Sequence, residues 1–174
     1  MLFRSRIRVS ADAVGGSGEV VSFRGVDLPP APVGALVAWG NGYDLPLPST
    51  ETDERCAAVR LGTPADLLAA RIEACWPAMG SEIVAGETIP AETGIVGVAV
   101  SFTKGCYPGQ ELVERMDSRG SRAPWHLVTV DVADGTRVGD AVHAAGAAIG
   151  SVTSVSGTRA IARVRRAALD PSGS

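Results

Sequence analysis

Apolar and basic positions alternate along Leu2–Val9 (LFRSRIRV), the two-residue period of a half-buried strand. Glu19–Arg24 (EVVSFR) and Gly34–Trp39 (GALVAW) predict two more strands, with Gly15, Gly16 and Gly18 as a turn between the first pair. Pro29, Pro30 and Pro32 break the chain ahead of the third, and Pro46 and Pro48 break it afterwards. The period then changes. Leu67, Leu68, Ile72 and Cys75 recur at helical spacing behind Thr63, a suitable N-cap, and Pro64, whose missing N–H costs nothing at the first helical position. A helix over 64–75 is predicted, ended by Pro77 and Gly80. From Gly80 to Gly109 the pattern is that of an ordered loop, with a short strand expected at Val96–Phe102 and a second helix from Pro108 or Gly109 to Met116. Beyond Gly120 the strand period returns in Trp125–Val132, Ala147–Val155 and Ala160–Val164. Turns at Asp134-Gly135, Gly139-Asp140 and Gly146 separate them, a spacing that predicts a small antiparallel barrel or sandwich.

Composition narrows the class. The chain has 174 residues, enough for one ordinary domain or two small ones, and is 45% hydrophobic and 20% charged, which argues against disorder. Its net charge of −3 offers no basic patch for nucleic-acid phosphates. Arg4, Arg6 and Arg8, and again Arg163, Arg165 and Arg166, alternate with apolar residues or lie beside them and read as solvated strand faces, so no direct nucleic-acid partner is expected. No apolar run approaches a membrane span, and the opening residues lack a signal-peptide core, so a cytoplasmic protein without membrane contact is expected. Three cysteines, Cys56, Cys75 and Cys106, with no CxxC and with both histidines distant, argue against a disulfide framework and against a structural metal site.

The densest chemistry lies in 103–111, TKGCYPGQE. Cys106 precedes a predicted helix start, where unpaired N–H groups favour an anion, and Lys104 adds a positive charge nearby, so a thiolate at Cys106 is the expected reactive form. Gly105 and Gly109 clear space, Tyr107 offers a flat face and a hydroxyl, and Gln110 and Glu111 supply hydrogen-bonding groups. The plain alternative is a buried cysteine acting as a small hydrophobe. A Cys–His hydrolase would need His126 or His143 brought in by folding, but His126 reads as structural and His143 as exposed. Cys75 reads as packed near a helix end, and Cys56 has no partner in its surroundings.

KGCYPGQE resembles the signature of the YgfZ-type folate-binding proteins, relatives of the glycine-cleavage T-protein implicated in iron–sulfur cluster maintenance. RIEACWPAMGSEI, ETIPAETG, the LVERMDSRG that follows the motif, and GAAIGSVTSV resemble further segments of that family, in order, from about Arg71 to Val164. The resemblance implies an α+β fold: residues 1–119 as the later part of a T-protein-like folate-binding domain, 120–169 as a small antiparallel β-barrel, and 170–174 as a tail. Family members are longer, so this chain is expected to be the later half of one. Cys75 stands where the family usually has glycine, a residue suited to a left-handed helix cap that cysteine would strain or shift.

The function implied is that of a tetrahydrofolate-binding accessory factor, more than an enzyme in its own right. It would serve iron–sulfur assembly or repair, with iron–sulfur proteins or assembly factors as partners and tRNA-modifying enzymes among the clients. Lys104 and Cys106 would carry the chemistry, with Tyr107, Gln110 and Glu111 forming a rim. Glu92 and Glu82 are candidates for the carboxylate that meets a pterin's N–H edge, and Arg115 and Arg119 for a partner of the folate's glutamyl tail. The plain alternatives are turn-stabilising glutamates and surface arginines. Two other functions remain open. One is a folate-dependent aminomethyltransferase, though the cysteine motif belongs to the accessory branch. The other is a docking module indifferent to Cys106→Ser.

Overall fold

The structure is a computed structural model that describes residues 4–13, 16–25, 28, 30–36, 39–48, 60–118 and 123–169. Cys56, Arg119 and the tail 170–174 lie outside the described residues. Helix and sheet are mixed, and the chain divides into two compact units, Met1–Ala74 and Cys75–Ser174.

The first unit holds β1 (Arg4–Ala13), β2 (Gly16–Gly25), β3 (Gly42–Pro48) and β4 (Arg60–Leu61) in the order β3-β2-β1-β4. β1 and β3 run antiparallel to β2, and β4 runs parallel to β1. The first two expected strands are present and longer than their alternation indicated. The third is not formed by the described residues of 34–39, where Leu36 makes only an isolated bridge to Asp44. It forms instead across Pro46 and Pro48, because β3 is an edge strand and an edge tolerates residues without an N–H. Phe23 lies opposite Tyr43, and Val21 opposite Leu45. These four make the buried core of this unit with Leu28 and Ala35 against them, and the two rings stack with centroids 4.8 Å apart.

Ser22 and Arg24, the alternate positions of β2, are also buried, and both donate to Asp44 Oδ1. The Arg24 guanidinium lies 3.8 Å from the Trp39 ring centroid. Burial pulls the Arg24 pKa below its ordinary value, against the opposing attraction of Asp44. Helix α1 (Pro64–Glu73) packs against β1 and β2. It is closed by a capping box in which Thr63 Oγ1 accepts from the Asp66 N–H and Asp66 Oδ2 accepts from the Thr63 N–H.

The second unit contains α2 (Val96–Ala99), α3 (Gln110–Ser118), β5 (Trp125–Asp131), β6 (Ala141–Ala144), β7 (Ala147–Ser156) and β8 (Arg159–Arg165). The strands form one antiparallel sheet in the order β5-β8-β7-β6. Among the described residues β5 pairs only with β8 and β6 only with β7, so the expected barrel is an open sheet. Closure requires enough tilted, staggered strands to bring the edges together, and four do not suffice here. Three strands lie where alternation put them, and the Ala-rich β6 was not expected. Val152, Ala160, Ile161, Ala162 and Val164 are buried in this sheet.

The strand expected at 96–102 is absent. Val96–Ala99 is a short helix, held by the Ala99 N–H to Ile95 O and the Val100 N–H to Val96 O. Among the described residues no strand lies alongside to satisfy an extended backbone, so local helical bonds win over the β-propensity of the valines. Helix α3 starts one or two residues later than expected. The segment 75–118 groups with the C-terminal sheet, and the domain boundary expected at 119/120 lies outside the described residues. Among the described residues no helix is long and apolar enough to cross a membrane.

Candidate functional site

Cys106 is exposed, and no described residue hydrogen-bonds its sulfur. Lys104 does not stand free beside it: its ammonium lies 4.7 Å from the centroid of the Tyr107 ring. The charge expected near the thiol is therefore held by an aromatic face one residue further on. Tyr107 is half-buried, and its hydroxyl is buried without a hydrogen-bond partner among the described residues. Such an atom loses its hydration without compensation unless a group outside the described residues supplies a partner.

The loop joins α3 through a local lock. Gln110 Oε1 accepts from the Tyr107 N–H at 3.3 Å, and the Gln110 N–H donates to Tyr107 O at 3.2 Å. Gly109 between them has φ +83°, where a side chain would be strained. Gln110 Nε2 donates to Glu114, and Arg115 pairs with Glu111 one helical turn away. The pair is exposed, so Arg115 is engaged within its own helix while remaining open to solvent.

Glu82 and Glu92 are both buried, at 2% and 5% exposure, and each reaches the C-terminal sheet. Glu82 Oε2 accepts from the Ala78 N–H and its Oε1 from Ser154 on β7, so both oxygens hold bonds within the chain. Glu92 closes a 3-10 turn, Pro90–Glu92, and its Oε2 accepts from Arg163 Nη2 at 2.7 Å. Among the described residues Oε1 of Glu92 accepts no hydrogen bond. The turn packs against α3 and against β5, which brings Glu92 to the helix that carries the motif. Of the two carboxylates, Glu92 is the one whose turn packs against α3, and the one with an oxygen free of hydrogen bonds among the described residues.

Arg163 overturns its expected role as a solvated arginine. It pairs with Glu92 and lies over Trp125 with 4.8 Å to the ring centroid, while its Nε is buried without a partner among the described residues. Arg165 approaches the same ring at 5.3 Å, and Arg166 Nη1 lies 2.8 Å from His126 Nε2. Because arginine only donates, His126 accepts there, which agrees with a structural histidine. Sequence reading gave Trp125 no site role, carried Ser154 only within the GAAIGSVTSV segment, and took Arg163 for a solvated residue. No group of three or more His, Cys, Asp or Glu among the described residues is arranged to hold a metal.

No family model matches the chain. It is 38% identical over 82 residues to the tRNA-modifying protein YgfZ of Escherichia fergusonii, a match covering 45% of this chain and 25% of that protein. Proteins of the same name from Escherichia coli O139:H28 and Shigella boydii serotype 18 are 38% identical over 79 residues, covering 44% of this chain and 24% of each. The match thus spans about a quarter of the length of these curated relatives. The similarities support a YgfZ-type protein.

Proposed function

We propose that this YgfZ-type chain serves tRNA modification as an accessory protein that binds tetrahydrofolate and supports the iron–sulfur enzymes involved. In this reading residues 75–169 belong to the later part of a T-protein-like folate-binding architecture. The observation that carries it is the Tyr107 hydroxyl, buried and without a partner among the described residues, in a segment that also exposes Cys106. A reduced pterin presents N–H donors and ring faces. Glu92 Oε1 suits the first, and the aromatic surface of Tyr107 suits the second. When bound, the folate would supply one-carbon carrier chemistry. Lys104 and Tyr107 would border it, Gln110 would hold the loop in shape, and Glu111 and Arg115 would stand at its solvent side.

The proposal is tested by calorimetric titration of the chain with tetrahydrofolate. Saturable binding weakened by Glu92→Ala supports it. A folded chain that binds none would sink the folate reading and leave Cys106 as the group to pursue.

A further inference from the structure

We infer that the Glu92–Arg163 ion pair is the positioning device for the Cys106 loop. The inference rests on the reading of Cys106 as a reactive group and concerns how that group is held.

Glu92 is only 5% exposed, and a carboxylate so buried needs a cation. Arg163 provides it from β8, across 71 residues of sequence, at 2.7 Å. Arg163 is itself braced, since its guanidinium lies over Trp125 of β5. The Pro90–Glu92 turn sits against β5 and against α3. At the start of α3, Gln110 holds the Tyr107 N–H, and Tyr107 follows Cys106 directly. A continuous set of contacts therefore runs from β8 to the residue beside the thiol. Locally the thiol has nothing equivalent: residues 101–106 are all exposed, and the one side-chain bond among them joins Ser101 to Thr103. The loop's position relative to the sheet is set through the pair.

The test follows alkylation of Cys106 by iodoacetamide in the full chain, read on the tryptic peptide 105–115. The sulfur forms the S–C bond as iodide leaves. Rates and thermal midpoints are compared for the parent, Glu92→Gln, Arg163→Met, Arg163→Lys and Ser154→Ala. The last variant breaks the other buried carboxylate link to the sheet and controls for general loss of stability. We expect Glu92→Gln and Arg163→Met to shift the rate by about 2- to 30-fold. Arg163→Lys should recover most of the parental rate. Ser154→Ala should lower the midpoint and leave the rate alone. Parental rates in folded Glu92→Gln and Arg163→Met overturn the inference, as does an equal shift in Ser154→Ala. A parental Cys106 no faster than the free 105–115 peptide defeats the reactive-cysteine reading instead, while the ratio of variant to parent still decides the positioning role.

Discussion

Ser154 Oγ donates a 2.7 Å hydrogen bond to Oε1 of Glu82, joining residues 72 apart in the chain. A bulge makes the contact. The register between β7 and β8 passes from Val152–Ala162 directly to Ser154–Ile161, so Ser154 takes the slot that an unbroken ladder would give to Thr153. Both partners are buried. The other oxygen of Glu82 accepts from the Ala78 N–H, so one carboxylate shapes its own turn and ties it to the sheet.

Ser154→Ala is therefore expected to cost about 1–3 kcal/mol, the range for removing one partner of a buried charged hydrogen bond. Glu82→Gln should cost less than Glu82→Ala, because the amide keeps an oxygen for Ala78 and the serine hydroxyl can turn to accept. Urea unfolding of the three variants checks the order, and equal losses for Gln and Ala would contradict it.

Arg24 and Asp44 give a second case, in the N-terminal unit. Burial outweighs Asp44 in setting the Arg24 pKa, which lies below its ordinary value. The sign follows: a base with a depressed folded pKa withholds stability wherever it is charged, and the deficit is relieved only as alkaline pH rises through the folded value. At neutral pH the pair is thus no net asset, yet breaking it from one side strands a charge. Asp44→Leu alone is expected to cost about 3–5 kcal/mol, and the double variant Arg24→Met with Asp44→Leu less, about 1–3 kcal/mol, because only the buried Ser22 hydroxyl then lacks the partner it had in Asp44. A double-mutant cycle by urea unfolding at pH 7 measures the difference.

These pairs show what the sequence could and could not disclose. Helix α1 was legible because Thr63, Pro64 and the spacing of Leu67, Leu68 and Ile72 are local signals, and β5, β7 and β8 because their alternation is local too. β3 was hidden by Pro46 and Pro48, since edge position is a property of the whole sheet. The valines of 96–99 suggested a strand that has no neighbour to pair with among the described residues. At the site, Glu82 and Glu92 were identifiable as residues, but their partners lie on strands 71 or 72 positions away, and nothing local in the sequence says which acid meets which strand. Arg163 in particular alternates like a surface residue and is instead the counterion of a buried acid.

Cys75 was expected to strain a helix cap, and it occupies the left-handed region at φ 49° just past α1. Glycine carries no Cβ penalty in that region. Cys75→Gly should raise stability by about 0.5–1 kcal/mol, or about 1–4 °C in Tm for a chain of this size, whereas β-branched Cys75→Val should lower it. Thermal melts under reducing conditions distinguish the two, and a lower midpoint for Cys75→Gly would mean that contacts of the cysteine side chain outweigh the backbone strain.

Tyr107→Phe separates structural from binding roles within the motif. The Tyr107 hydroxyl is buried without a partner among the described residues, so its removal relieves a desolvation penalty and leaves the ring under Lys104 intact. Stability of the free chain should hold or rise by about 1 kcal/mol. If the hydroxyl awaits a ligand, affinity for tetrahydrofolate should fall by about tenfold, the equivalent of one good hydrogen bond. Opposite signs in the melt and the titration are what a ligand-facing hydroxyl requires. A loss of stability with unchanged affinity would assign Tyr107 to packing and remove it from the site.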